Sequence, residues 1–232
     1  LIRRQRQMCI RDRFGYTSAG RYTSWNDIWS YPGYKERDIL PGDYKYEDWN
    51  GDGEINGQDE HPFAFDQTPW LQFSLNAGLQ WKNLDFNMLL QGSALGSMEY
   101  KEPLHEIWGK NGGGALKQFL DRWHPVDPKA DPYDPSTVWT SGHYAYTGRW
   151  AKNNSAFNRV STAYLRLKSI ELGYTFPKLK QIPNASLRIY ANAYNLLTFT
   201  GVKFVDPEHP DDDLGRMYPL NKTYTLGVSL SF

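Results

Sequence analysis

Five stretches of the chain alternate apolar and polar residues with a period of two, the signature of strands whose two faces differ chemically. In the first, Leu71, Phe73, Leu75, Ala77, Leu79 and Trp81 share one face, and Gln72, Ser74, Asn76, Gly78 and Gln80 share the other. The two-residue turn Lys82-Asn83 leads into a second strand. There Leu84, Phe86, Met88 and Leu90 oppose Asp85, Asn87 and Gln91, and Leu89 breaks the polar face. The third, from Arg166 to Phe176, sets Ile170, Leu172, Tyr174 and Phe176 against Glu171, Gly173 and Thr175. Leu165 and Leu167 are in the opposite phase, which predicts a bulge or the end of the apolar face near Lys168. In the fourth, Leu187, Ile189, Ala191 and Ala193 oppose Arg188, Tyr190, Asn192 and Tyr194. The fifth is the cleanest: Tyr224, Leu226, Val228, Leu230 and Phe232 against Thr223, Thr225, Gly227, Ser229 and Ser231.

A soluble sheet packed on a core shows the same alternation. Here, however, the polar faces carry small or amide residues and the apolar faces end in aromatics. The eight residues from Tyr224 to Phe232 span ~26 Å at ~3.3 Å per residue, or ~19 Å along a membrane normal at ~45° tilt. That is close to the apolar band of an outer-membrane barrel between its aromatic girdles. Connection lengths point the same way. Lys82-Asn83 and Pro177 to Ala185 are short; Phe14 to Pro69, Ser93 to Ala163 and Thr198 to Lys222 are long. Short turns lie on the periplasmic side of such barrels and long loops outside. The strands then run down, up, down, up, down, with the C-terminus periplasmic. The expected fold class is all-β: an antiparallel up-and-down meander of about five long strands from the C-terminal end of a large transmembrane β-barrel. Its long extracellular loops should contain short helices, one over Gly114 to Trp123, where Leu116, Phe119, Leu120 and Trp123 have helical spacing before Pro125.

Composition narrows the alternatives. The 232 residues carry 26 basic and 26 acidic side chains, a balance that argues against nucleic acid as a partner. Aromatic residues make up 16% of the chain, which favours strands and ordered loops. No run approaches the ~20 apolar residues of a membrane helix, but barrel strands average to near neutral hydropathy. Residues 1–13 include RRQRQMCIRD, which reads as a translated sequencing adapter, so native sequence is expected from near Phe14. The only cysteine, Cys9, lies in that stretch, leaving no disulfide framework or thiol site. The five histidines are scattered without zinc spacing, and no phosphate loop or nucleophile elbow is present. The expectation is a chain that performs no chemistry, organised as 14–67, an extracellular loop region, and 68–232, barrel strands and loops.

Two local features carry candidate chemistry. Asp48, Asn50, Asp52, Glu54 and Asp59, with Gly53 at the sharp turn, fit the spacing of a calcium loop, with Asp59 in place of the usual terminal glutamate. Alternatively, the stretch is an ion-free chain of Asx turns. Aromatics crowd the long loops: Trp25, Trp29, Tyr31, Trp108, Trp123, Trp139, Tyr144, Tyr146 and Trp150. Singly each fits loop packing; together they fit a surface that receives a ligand or a lid. Arg188, Tyr190, Asn192 and Tyr194 are expected to face the barrel lumen, and Asp211 to Asp213 a solvated loop tip.

Four blocks resemble the SusC/RagA-type TonB-dependent outer-membrane transporters: Leu40 to Glu60 (LPGDYKYEDWNGDGEINGQDE), Tyr164 to Lys178 (YLRLKSIELGYTFPK), Ser186 to Glu208 (SLRIYANAYNLLTFTGVKFVDPE) and Tyr218 to Phe232 (YPLNKTYTLGVSLSF). The resemblance implies a plugged barrel of about 22 strands, a TonB-box segment, and a SusD-like surface lipoprotein as lid. Members are far longer, so the chain is expected to be a fragment. It would contribute to uptake of oligosaccharides or peptides in the outer membrane of a Gram-negative bacterium. Implied partners are the lipid bilayer, the TonB complex through the missing part, and the outer-membrane assembly machinery, which would read Phe232 as its signal. The competing reading is a soluble β-sandwich carbohydrate-binding module with a structural calcium, which must bury Leu226, Val228 and Leu230 against a second sheet. A third, a glycan hydrolase, requires two converging carboxylates.

Overall fold

A computed structural model describes residues 13–34, 38–101, 104, 116–146, 154–177, 185–208 and 217–231. The chain forms two compact units, one built from residues 1–67, 97–160 and 210–216, the other from 68–96, 161–209 and 217–232.

The second unit is a single antiparallel sheet of five strands: β1 (Leu71–Trp81), β2 (Leu84–Ala94), β3 (Tyr164–Phe176), β4 (Ser186–Thr200) and β5 (Thr223–Ser231). Each strand pairs with its neighbour in sequence, giving an up-and-down meander. Lys82 takes the left-handed conformation (φ 55°) that lets two residues reverse the chain between β1 and β2. The register turns five separate alternations into one surface. Leu79, Phe86, Leu172, Ala191 and Leu226 lie side by side across all five strands, and Trp81, Leu84, Tyr174, Ile189 and Val228 form the adjacent row. On the opposite face, Gly78, Asn87, Glu171, Asn192 and Thr225 form the corresponding polar row.

The apolar rows are not covered. Leu79 is 65% exposed, Leu226 77% and Val228 65%, and no second sheet belongs to this unit among the described residues. A β-sandwich would bury these side chains, so the sandwich reading does not fit. No helix among the described residues is long and apolar enough to cross a membrane; a barrel crosses with strands. Phe232 lies outside the described residues.

The phase inversion near Lys168 is a bulge. The register of β3 shifts between Leu167 and Ser169 against both neighbours. Opposite it, β4 accommodates Asn195 in the left-handed conformation (φ 52°), with its Nδ2 donating to the Asn221 carbonyl at 3.1 Å. The extra residue restores the face. Leu165 and Leu167 pair with Gly92 and Leu90 on one side and with Phe199 and Leu197 on the other. The apolar surface therefore continues past Lys168, and β4 runs on to Thr200.

The first unit is mostly irregular, tied by short ladders such as Arg13–Gly15 with His61–Ala64 and Ser18–Arg21 with Tyr44–Tyr46. Arg13, the last residue of the suspect N-terminal stretch, sits in the first of these, and its Nε donates to Asp66 at 2.9 Å. The core is aromatic: Tyr16, Tyr44 and Tyr46 with Ile55 and Ala145, packed by Tyr34 and Phe157. A six-residue helix, α1 (Trp25–Ser30), starts at Ser24, whose hydroxyl accepts from the Asp27 amide. The helix expected over Gly114 to Trp123 is only one 3-10 turn, Lys117–Leu120, with Gly114 and Ala115 outside the described residues. Phe119 is buried but Leu120 is exposed, so no continuous helical face packs. The next backbone groups bond elsewhere: Trp123 donates to the Tyr144 carbonyl, and Asp121 accepts from His143 and Tyr144.

Candidate functional site

On the polar face of the sheet, charge is concentrated around Arg188 of β4. Its guanidinium donates to both Asp85 carboxylate oxygens and, at 2.6 Å, to Glu171 Oε1. Gly173 separates these groups on β3, and a Cβ there would stand 2.6 Å from both the guanidinium and the Asp85 carboxylate. The glycine thus makes room for an ion cluster spanning three strands. Arg188, expected to face the barrel lumen, is engaged by the wall itself, and its guanidinium also lies over the Tyr190 ring at 4.8 Å.

Further along β3, Arg166 is the largest fully buried side chain among the described residues (1% exposed). It donates to Asp206 and Glu208 at 2.5 Å each and to the Thr198 hydroxyl at 3.0 Å, while Tyr164 donates to Glu208 at 2.8 Å. The arrangement pins the segment after β4 to the sheet. Sequence reasoning missed both ion clusters. Their signal was present as charged residues on strand faces, but the partners lie tens of residues away.

The first unit gathers part of the aromatic set. Trp25 of α1, Trp123 and Trp139 line one cavity of ≈ 260 Å³, together with Pro41, Pro135 and the side chains of Thr23, Ser24, Thr137 and Ser141. Trp123 is seated by the turn Leu40-Pro41-Gly42-Asp43. Gly42 has φ 91°, and a Cβ there would come within 2.3 Å of the indole. The Asp43 carboxylate accepts from the Leu40 amide at 2.9 Å, and Arg21 donates to the Gly42 carbonyl at 2.8 Å. Trp29 packs beside Trp25 (centroids 6.0 Å apart) but is largely exposed and outside the cavity lining. Tyr146 packs edge-on against Trp139, and Tyr144 against Phe119. Tyr144 is therefore part of a small core, and burial pushes its phenol up to about 12. Burial and the nearby Glu60 and Asp59 carboxylates raise Tyr16 likewise, to about 12. Lys45, bonded to Asp27 at 2.6 Å and 3.9 Å from the Tyr31 ring centroid, holds the Asp27 carboxyl below its usual range. Trp108 and Trp150 lie outside the described residues, as does the run Asp211 to Asp213.

The acidic loop spends its oxygens on its own backbone. Asp48 accepts from the Gly51 and Gly53 amides, Asn50 from Asp52, and Asp52 from Glu54, all at 2.8–2.9 Å. Asp59, fully buried, accepts from Trp49, Asn50 and Asn56. Among the described residues no three His, Cys, Asp or Glu side chains converge to hold a metal ion. The arrangement is a run of Asx turns, and the calcium expectation rests on the spacing motif alone.

No family model matches the chain. Two curated relatives from Formosa agariphila do. TonB-dependent receptor P3 is 28% identical over 211 residues, covering 84% of this chain and 19% of its own length. TonB-dependent receptor P26 is 28% identical over 233 residues, covering 94% and 22%. The chain thus spans about a fifth of the length of the relatives it matches. Among solved structures, the RagAB peptide transporter aligns with a TM-score of 0.60 at 20% identity, over 95% of this chain and 22% of the matched one. The RagAB peptide importer in its open-open state aligns at 0.56 and 19%, over 94% and 22%. In sequence the chain is similar to about a fifth of each of two TonB-dependent receptors, and in fold to a matching share of the RagAB transporter.

Proposed function

We propose that the chain supplies barrel-wall strands and extracellular loops to an energised outer-membrane importer. This importer takes up oligosaccharides or peptides captured with a SusD-like surface lipoprotein and is driven through TonB. The observation that carries the reading is the uncovered apolar face running continuously across five meander strands. Water penalises such a face and hydrocarbon does not. Relatives named as receptors and an importer, rather than as enzymes, agree with it. The two-residue turn at Lys82-Asn83 then lies in the periplasm, and the long 95–163 connection lies outside the cell.

Cysteine labelling tests this orientation. The full-length transporter carrying this segment, otherwise free of cysteine, would receive Lys129→Cys or Asn83→Cys. A membrane-impermeant maleimide should label the first on intact cells. It should label the second only after the outer membrane is permeabilised. Labelling of Asn83→Cys on intact cells, or protection of Lys129→Cys, would contradict the topology.

A further inference from the structure

The cavity beneath Trp25, Trp123 and Trp139 has a chemistry of its own. Its lining holds three indoles, two prolines and four hydroxyl side chains, and none of these carries a charge. An anionic or cationic ligand entering it would lose hydration without gaining a counter-charge. Flat indole faces beside hydroxyls suit a ligand with apolar C–H faces and a polar equator, which describes a pyranose. A peptide fits less well. Its repeated amide groups need a matching array of backbone partners, and its termini need charges.

Size limits the occupant. A volume of ≈ 260 Å³ lies just below the ~300–1,000 Å³ of pockets for drug-sized ligands, so it suits one ring rather than a chain. The walls are also pre-set. The Gly42 turn holds Trp123, and the Ser24 cap fixes the helix that carries Trp25. Little ordering remains to be done on binding.

From this we infer that the Trp25–Trp123–Trp139 cavity is a binding site for a single neutral sugar unit. The inference rests on the importer reading for its setting and narrows its two ligand classes to one at this site.

The test uses the full-length transporter refolded into an amine-oxide detergent, so that no headgroup offers a sugar. Methyl α-glucoside, methyl β-galactoside, methyl α-mannoside and trialanine are titrated against tryptophan emission. At least one glycoside should shift the emission saturably, and trialanine should not. Trp139→Ala should weaken that glycoside about 10-fold, as expected for loss of a stacking face. Trp139→Phe, which keeps a ring, should lose less, and Trp49→Ala, outside the cavity, should bind normally. Heat-modifiable gel mobility verifies that each variant has formed its barrel. No response to any of the glycosides, equal binding of trialanine, or unchanged affinity in Trp139→Ala would overturn the site. A correctly inserted barrel that fails here removes the sugar site alone. Failure of the cysteine-labelling pattern removes the importer reading beneath it.

Discussion

Arginine at position 228 separates a lipid-facing strand from a water-facing one. Val228 lies midway between Tyr224 and Phe232 and is 65% exposed, with Ile189 beside it on β4 and Trp81, Leu84 and Tyr174 completing its row. Four residues separate it from each end of the apolar stretch, ~13 Å along the strand at ~3.3 Å per residue. That puts it near the centre of the hydrocarbon layer, where arginine on a barrel's outer face costs about 2–4 kcal/mol. The same substitution on a water-exposed surface changes stability by no more than about 0.5 kcal/mol. Thr225, on the opposite face against Asn192, is the control. Thr225→Arg in the lumen should stay within that surface range. The assay is reversible urea unfolding of the full-length transporter in lipid vesicles, followed by tryptophan fluorescence. A Val228→Arg loss equal to that of Thr225→Arg, or no loss in either, would refute the assignment of the apolar face to lipid.

Three further outcomes follow from the loops and clusters. Asp59→Ala leaves three backbone amides without their buried acceptor, which should destabilise the acidic loop by about 2–4 kcal/mol. Hydrogen exchange of residues 48–59 should show that loss, and unchanged protection in Asp59→Ala would contradict the role given to its carboxylate. Arg166→Leu strands Asp206 and Glu208, both partly exposed, and should cost about 2 kcal/mol, less than a fully buried pair. Residues 202–208 should then lose amide protection while β1 and β2 keep theirs. Tyr16 and Tyr144 have folded-state values raised to about 12 from an ordinary 10, so their contribution is complete below pH 10 and is lost as pH rises toward 12. Tyrosinate absorbance of the folded protein should therefore show at least two phenols titrating near pH 12. All phenols titrating near pH 10 would contradict their burial.

The strands were legible in the sequence because a barrel wall keeps its two faces in contact with different media. Leu71 to Trp81 needs no knowledge of its neighbours to show its alternation, and its boundaries match β1. Even the bulge left a trace, since Leu165 and Leu167 fall out of phase with Ile170, although only the pairing showed that Lys168 restores the face. The loops were less legible because long-range contacts set their structure. Gly114 to Trp123 has helical spacing, yet the backbone after Leu120 bonds to residues 143 and 144 instead. Trp25, Trp123 and Trp139 are separated by up to 114 residues, and nothing local indicates that these three, and not Trp29, share a cavity. The spacing of Asp48 to Asp59 suits calcium and a run of Asx turns equally. The structure adds what spacing does not show: the Asp59 carboxylate is directed at three amides.

The most direct test of the barrel account is a spin-label comparison of two neighbouring residues. Leu226→Cys and Thr225→Cys, each labelled in the full-length transporter in lipid vesicles, are exposed in turn to oxygen and to a water-soluble nickel chelate. The account predicts that the label at 226 collides mainly with oxygen, which concentrates in hydrocarbon, and is shielded from the chelate. The label at 225 should meet little oxygen. High chelate access at 226, or indistinguishable profiles at the two positions, would contradict it.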